Sequence, residues 1–167
     1  MKVVIVGCGR VGAVLAGSLD ASGHHVVIID LLVRAFERLP ATFGGEAVRG
    51  DGTDEDALRR AGVEGAHVFL ALTEGDNRNV LAAQLAREAF GIGMVYAKVN
   101  DPMRARAYAE LGLGTVCRTT MMADSILGAM GLPVGVEPIS SAIWSARRRS
   151  FSISTTSWPD SESSRVR

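Results

Sequence analysis

The chain has 167 residues, and its 18 Lys and Arg are balanced by 18 Asp and Glu. That excludes nucleic-acid binding by overall charge and leaves length enough for one α/β domain with a proper core. No apolar run approaches the roughly 18–20 residues that span a bilayer, and no secretory segment follows Met1. The two cysteines, Cys8 and Cys117, are far apart, so a reduced, cytoplasmic protein is expected.

The first element is Val3-Val4-Ile5-Val6, a buried strand over about 2–6, followed at once by Gly7-Cys8-Gly9-Arg10-Val11-Gly12. This is G-x-G-x-x-G in the context that gives it weight: a strand before it and a helix, about 10–22, with small residues (Ala13, Ala16, Gly17) after it. Such a turn lets backbone approach a phosphate and points free N–H groups at it. A second strand over 25–29 ends in Asp30, placed where a ribose-binding carboxylate belongs. A short helix is expected over 31–39, closed by Pro40 and Gly44-Gly45, then a short third strand at Ala47-Val48-Arg49.

Gly50-Asp51-Gly52-Thr53 reads as a turn, with Thr53 as the N-cap of a helix whose first turn holds Asp54, Glu55 and Asp56 and which closes at Gly62. A fourth strand over 68–72 and the segment Thr73 to Asn77 lead into a helix to about Phe90, ended by Gly91. A fifth strand over 94–99, a helix after Pro102, a short sixth strand over 115–117 and a last helix over 119–130 follow. Strands alternating with helices imply a parallel, doubly wound α/β sheet of Rossmann type. Its expected order is 3-2-1-4-5-6, with ligand at the switch point between strands one and four.

Sorting polar residues by strand end puts the glycine turn, Asp30, Asp51 to Thr53, Thr73 to Asn77, Lys98 and Arg118 on the ligand side. All three histidines, His24, His25 and His67, precede strands and fall on the far side. No activated serine motif or metal cluster is present, and Cys8 has no base beside it, so the residues describe a binding module and not an enzyme. Arg10 sits in the first turn of its helix, where a cation opposes the dipole unless it holds an anion. Lys98 is the cation at the end of strand five, suited to a phosphate or carboxylate.

The segments VVIVGCGRVG, HHVVIID, VRGDGTDEDALRRAGVEGAHVFLALTEGDNRNVLAAQLAREAFG and AKVNDPMRARAYAELGLGTVC together resemble the regulator-of-potassium-conductance (RCK, TrkA-N) family over about residues 1–131. The resemblance implies a Rossmann-type domain that binds NAD(H) or ATP/ADP. It carries that role onto Gly7, Gly9, Arg10, Gly12, Asp30, Asp51, Gly52, Thr53, Thr73 and Lys98, with Val11 inside the same turn. It also implies a cytosolic subunit that gates a potassium transporter or channel from the inner face of the plasma membrane. Two other readings stand beside it: a small NAD(P)-dependent oxidoreductase fragment, and an interaction module that has lost its ligand.

Residues 132–167 differ in character. They carry the Arg147-Arg148-Arg149 run, and ten serines lie within 134–167. They are expected to form a poorly ordered tail, with one short helix or strand near 138–154 and no recognisable C-terminal regulatory domain. In the last helix Met122, Ile126 and Met130 share a face that Met121 and Leu127 widen. With the sheet expected to be covered by earlier helices, residues 119–130 are a candidate interface for a homodimer or larger ring.

Overall fold

The computed structural model describes residues 1–134; the segment expected near 138–154 lies outside them. Six parallel strands form one sheet in the order β3-β2-β1-β4-β5-β6, as the alternation of elements predicts. They are β1 (Lys2–Val6), β2 (His25–Asp30), β3 (Glu46–Arg49), β4 (Val68–Ala71), β5 (Met94–Lys98) and β6 (Gly114–Val116). The helices between them are α1 (Arg10–Ala21), α2 (Glu55–Arg60), α3 (Asp76–Glu88), α4 (Pro102–Glu110) and α5 (Arg118–Ala129). The short helix after β2 is 3-10, Val33–Arg38.

Strand alternation builds two cores, one on each face of the sheet. Val4, Val6, Val27, Ile29, Phe69, Ala71 and Ala97 face α2, α3 and α4 through Leu58, Val80, Ala83 and Ala105. Val3, Ile5, Val26 and Ile28 face α1 and the 3-10 helix through Ala13, Ala16 and Ala35. Each fully buried Val, Ile or Phe contributes about 1.5–3 kcal/mol. α1 lies close on the sheet because Gly12, Ala13 and Ala16 have almost no side chain to hold it off.

The expectation that earlier helices cover the whole sheet is corrected here. α2, α3 and α4 all pack on one face, so on the α1 face the β4–β6 half is only partly covered. Leu70 and Tyr96 are half-buried there and Met94 is exposed. α5, the last element among the described residues, has no buried residue at all. Its first turn is tied to the body by Thr119 Oγ1, which donates to the Asn100 carbonyl at 2.7 Å. Asn100 is itself held by Asp76, whose Oδ1 accepts from the Asn100 backbone N–H and Nδ2, each at 3.0 Å.

Candidate functional site

Four segments meet at the carboxyl ends of the central strands: the β1–α1 turn, the end of β2, the β3–α2 loop and the β4–α3 loop. They enclose an open cavity of about 620 Å³.

The β1–α1 turn is shaped by its glycines. Gly7 has φ +106°, donates its N–H to the Ile29 carbonyl at 2.7 Å, and would put a Cβ 2.8 Å from the Thr73 nitrogen. A Cβ on Gly12 would overlap the Gly7 carbonyl oxygen. Gly9 is different: a Cβ there meets nothing of the protein, and Gly9 lines the cavity. The protein has no internal need for glycine at that position, whereas a ligand lying against the turn would. Gly9 caps α1 without a side chain, so the first N–H groups of the helix are left for an acceptor in the cavity. Gly75 caps α3 in the same way.

Asp30 is held by backbone. Its Oδ2 accepts the Cys8 N–H at 2.8 Å and its Oδ1 the Leu32 N–H at 2.9 Å. Each oxygen keeps a lone pair for a ligand hydroxyl. The Cys8 thiol donates to the Ala35 carbonyl at 3.2 Å; burial, and then the Asp30 charge, push its pKa up, so it is a neutral packing group.

In the β3–α2 loop, Asp51 Oδ1 accepts from both the N–H and the hydroxyl of Thr53, at 2.9 and 2.8 Å. Those two bonds hold its carboxyl below the usual range, and the positive charge of Arg78 adds to them. Thr53 is therefore not the N-cap of α2. Its hydroxyl is committed to Asp51, and Asp54 caps the helix by accepting the Asp56 N–H at 2.9 Å. A Cβ on Gly52 would run into the Val6 side chain, so this loop can cross the end of β1 only as glycine.

In the β4–α3 loop, Thr73 donates its N–H and hydroxyl to Asn79 Oδ1, at 2.8 and 2.7 Å. Asn79 is fully buried, and its Nδ2 donates to the carbonyls of Thr73 and Lys98. The Thr73 side chain is thus used to fix the loop.

Of the residues singled out by sequence, Gly7, Gly9, Arg10, Asp30, Asp51, Gly52, Thr53 and Thr73 line the cavity. Gly12 lies under the turn and supports it. Val11 sits on the outer side of α1, half exposed, and is not part of the lining. Lys98 is also outside the lining; it is buried at the end of β5, one strand beyond the switch point, with Nζ 3.4 Å from Glu74 Oε1. Two cavity-lining cations escaped the sequence reading, Arg38 and Arg78. Arg78 had a signal, since it occupies the first turn of α3 as Arg10 occupies that of α1. Leu31 and Leu32 add an apolar wall beside Asp30.

At the opposite end of the sheet, His25 Nε2 lies 2.9 Å from Glu46, and His67 Nδ1 accepts the Lys2 N–H at 3.0 Å. No histidine reaches the cavity lining. Among the described residues there is no group of three or more His, Cys, Asp or Glu that could hold a metal, and no helix long and apolar enough to cross a membrane.

This chain is similar to the Trk system potassium uptake protein TrkA of Streptomyces coelicolor, with 48% identity over 139 residues, 83% of this chain and 62% of that protein. It spans about half to three-fifths of the length of the first curated relatives it matches. The fold is shared with the TrkA-N domain of the Escherichia coli inner membrane protein YbaL, at TM-score 0.68 and 22% identity, covering 77% of this chain and 95% of that one. It is shared also with a GsuK channel bound to NAD, at TM-score 0.62 and 22% identity, covering 76% of this chain and 23% of that one. The TrkA-N domain matches residues 3–119, so the chain belongs to the TrkA-N domain family.

Proposed function

We propose that this chain is a nucleotide-binding regulatory module of a membrane potassium transporter or channel, working from the cytoplasmic face. The ligand is NAD(H) or ATP/ADP. One observation carries the binding half of this reading: the cavity faces the open backbone at Gly9 on one side and the backbone-anchored Asp30 carboxylate on the other. That pair suits a phosphate and a ribose diol. The names of the TrkA relatives and the NAD-bound GsuK channel support the potassium and nucleotide parts of the reading.

The described residues place no proton-transfer histidine, activated nucleophile or metal cluster at the cavity, so binding and not turnover is the proposed role. A ligand that prefers one of two assembly states would shift the membrane partner by its difference in affinity. The proposed assembly is a homodimer or larger ring through α5. Its exposed Met121, Met122, Ile126 and Met130, together with the half-covered β4–β6 face, offer the apolar surface for it.

The test is calorimetric titration and thermal unfolding with NAD, NADH, NADP, ATP, ADP and AMP. At 100 times its Kd a true ligand adds about 2.7 kcal/mol of stability. NADP is expected to bind more weakly than NAD, because Asp30 accepts from ribose hydroxyls and repels a 2′-phosphate. Binding of no adenine nucleotide would favour the ligand-free interaction module; turnover of a nicotinamide substrate would favour the oxidoreductase.

A further inference from the structure

Arg10 and Arg78 lie on opposite sides of the switch point, Arg10 on α1 after β1 and Arg78 on α3 after β4, and both line the cavity. Neither makes a hydrogen bond or ion pair among the described residues. Both stand in the first turn of a helix of at least 12 residues capped by a bare glycine. A cation there works against the helix dipole, and its cost is recovered when an anion sits between it and the helix N–H groups.

Arg78 is also aimed. Its Cβ, Cγ and Cδ run 3.6–3.7 Å from where a Cβ on Gly75 would stand, so the stem lies back over the cap residue at van der Waals distance. Its charge reaches Asp51 across the cavity. Four carboxylates share a hollow with it: Asp30, accepting from the Cys8 and Leu32 N–H groups, Asp51, accepting twice from Thr53, Asp76, accepting from Asn100, and Glu74, which is exposed and beside Lys98. None of the four is bonded to Arg78, so its guanidinium is available to a ligand.

The order of the strands then orders the ligand. On the nucleotide-binding reading, Asp30, at the end of β2, takes the ribose and the glycine turn after β1 the first phosphate; α3, after β4, is the next element along the sheet. We propose that Arg78 recognises the phosphate beyond the first one of an adenine nucleotide, and so sets a preference for nucleoside di- and triphosphates over the monophosphate. This rests on the nucleotide-binding reading above and assigns the distal end of the same site.

Calorimetric titration of the full chain with AMP, ADP and ATP tests it, using wild type, Arg78→Gln and Arg78→Lys. Loss of one charge-assisted contact to phosphate lowers affinity by about tenfold or more. Arg78→Gln is expected to weaken ATP and ADP by that factor and AMP by less than about twofold; Arg78→Lys, which keeps the charge but not the fork, recovers part of the loss. AMP binding serves as the check that the variant is folded. Unchanged ATP binding by Arg78→Gln, or equal loss for AMP and ATP, overturns the assignment while leaving nucleotide binding itself intact. A wild type that binds none of the three, nor NAD, overturns the function reading instead.

Discussion

α1 and α5 are both helices of 12 residues, and each begins on an arginine with no side-chain cap. Their fates are opposite. α1 presents Gly12, Ala13 and Ala16 to the sheet and buries all three; α5 carries Met121, Met122 and Ile126, with Met130 as its C-cap, and buries nothing. Apolar content therefore does not decide which helix enters the core. Small residues let α1 approach a sheet that is there to receive it, while α5 follows the edge strand and has large residues with no surface beneath them among the described residues. The first arrangement builds the turn proposed to receive a ligand; the second leaves the face proposed for a second subunit.

One substitution tried in both helices separates them most sharply. Gly12→Ala forces a methyl into the Gly7 carbonyl, which is backbone and cannot step aside. It is expected to cost about 3 kcal/mol or more, read as a lower urea midpoint. At a smaller scale, Ile126→Asp with Met130→Asp should weaken self-association at least about tenfold, as expected for charges placed in an apolar interface. Because both sites are exposed within the chain, stability of the monomer should move by no more than about 0.5 kcal/mol. Sedimentation equilibrium gives the first quantity and urea unfolding the second. A wild type that stays monomeric at micromolar concentration, or a double variant that assembles normally, would remove α5 as the interface. The smallest expected effect has the opposite sign to the first. A Cβ on Gly128 meets nothing, so Gly128→Ala should stabilise the chain by about 0.5–1 kcal/mol through helix propensity alone. A loss of stability there would mean that α5 is already packed in solution.

The sheet order could be read from the sequence because each strand is a short apolar run followed by its own glycine punctuation, and because G-x-G-x-x-G names the first crossover. Asp30 was readable for the same reason. The side of the sheet on which each helix packs was not, since α2, α3 and α4 carry apolar stripes that would serve either face. The cap of α2 was misplaced because Thr53 and Asp54 are both good caps and only the Asp51 hydrogen bonds choose between them. Lys98 was readable as a residue at the ligand end of a strand, but which strand ends lie over the cavity depends on the closure of the loops. Arg38 and Arg78 reach the cavity from a 3-10 helix and from α3 through long side chains, and spacing along the chain does not reveal such reach.

β1 shows what the glycine turn does for the chain apart from its proposed ligand. Its residues are apolar on both faces, Val3 and Ile5 on one and Val4 and Val6 on the other. Sliding the strand by one position would exchange like for like, so burial alone sets no reading frame. The frame is set at its end, where Gly7 binds the Ile29 carbonyl and Gly52 crosses over Val6. A descendant that had abandoned its nucleotide would still need Gly7, Gly12 and Gly52 to place this strand, and would be free to change Gly9 and Arg10. On the proposed reading, Gly9 and Arg10 are therefore the two residues expected to separate relatives that hold a nucleotide from relatives that only kept the fold.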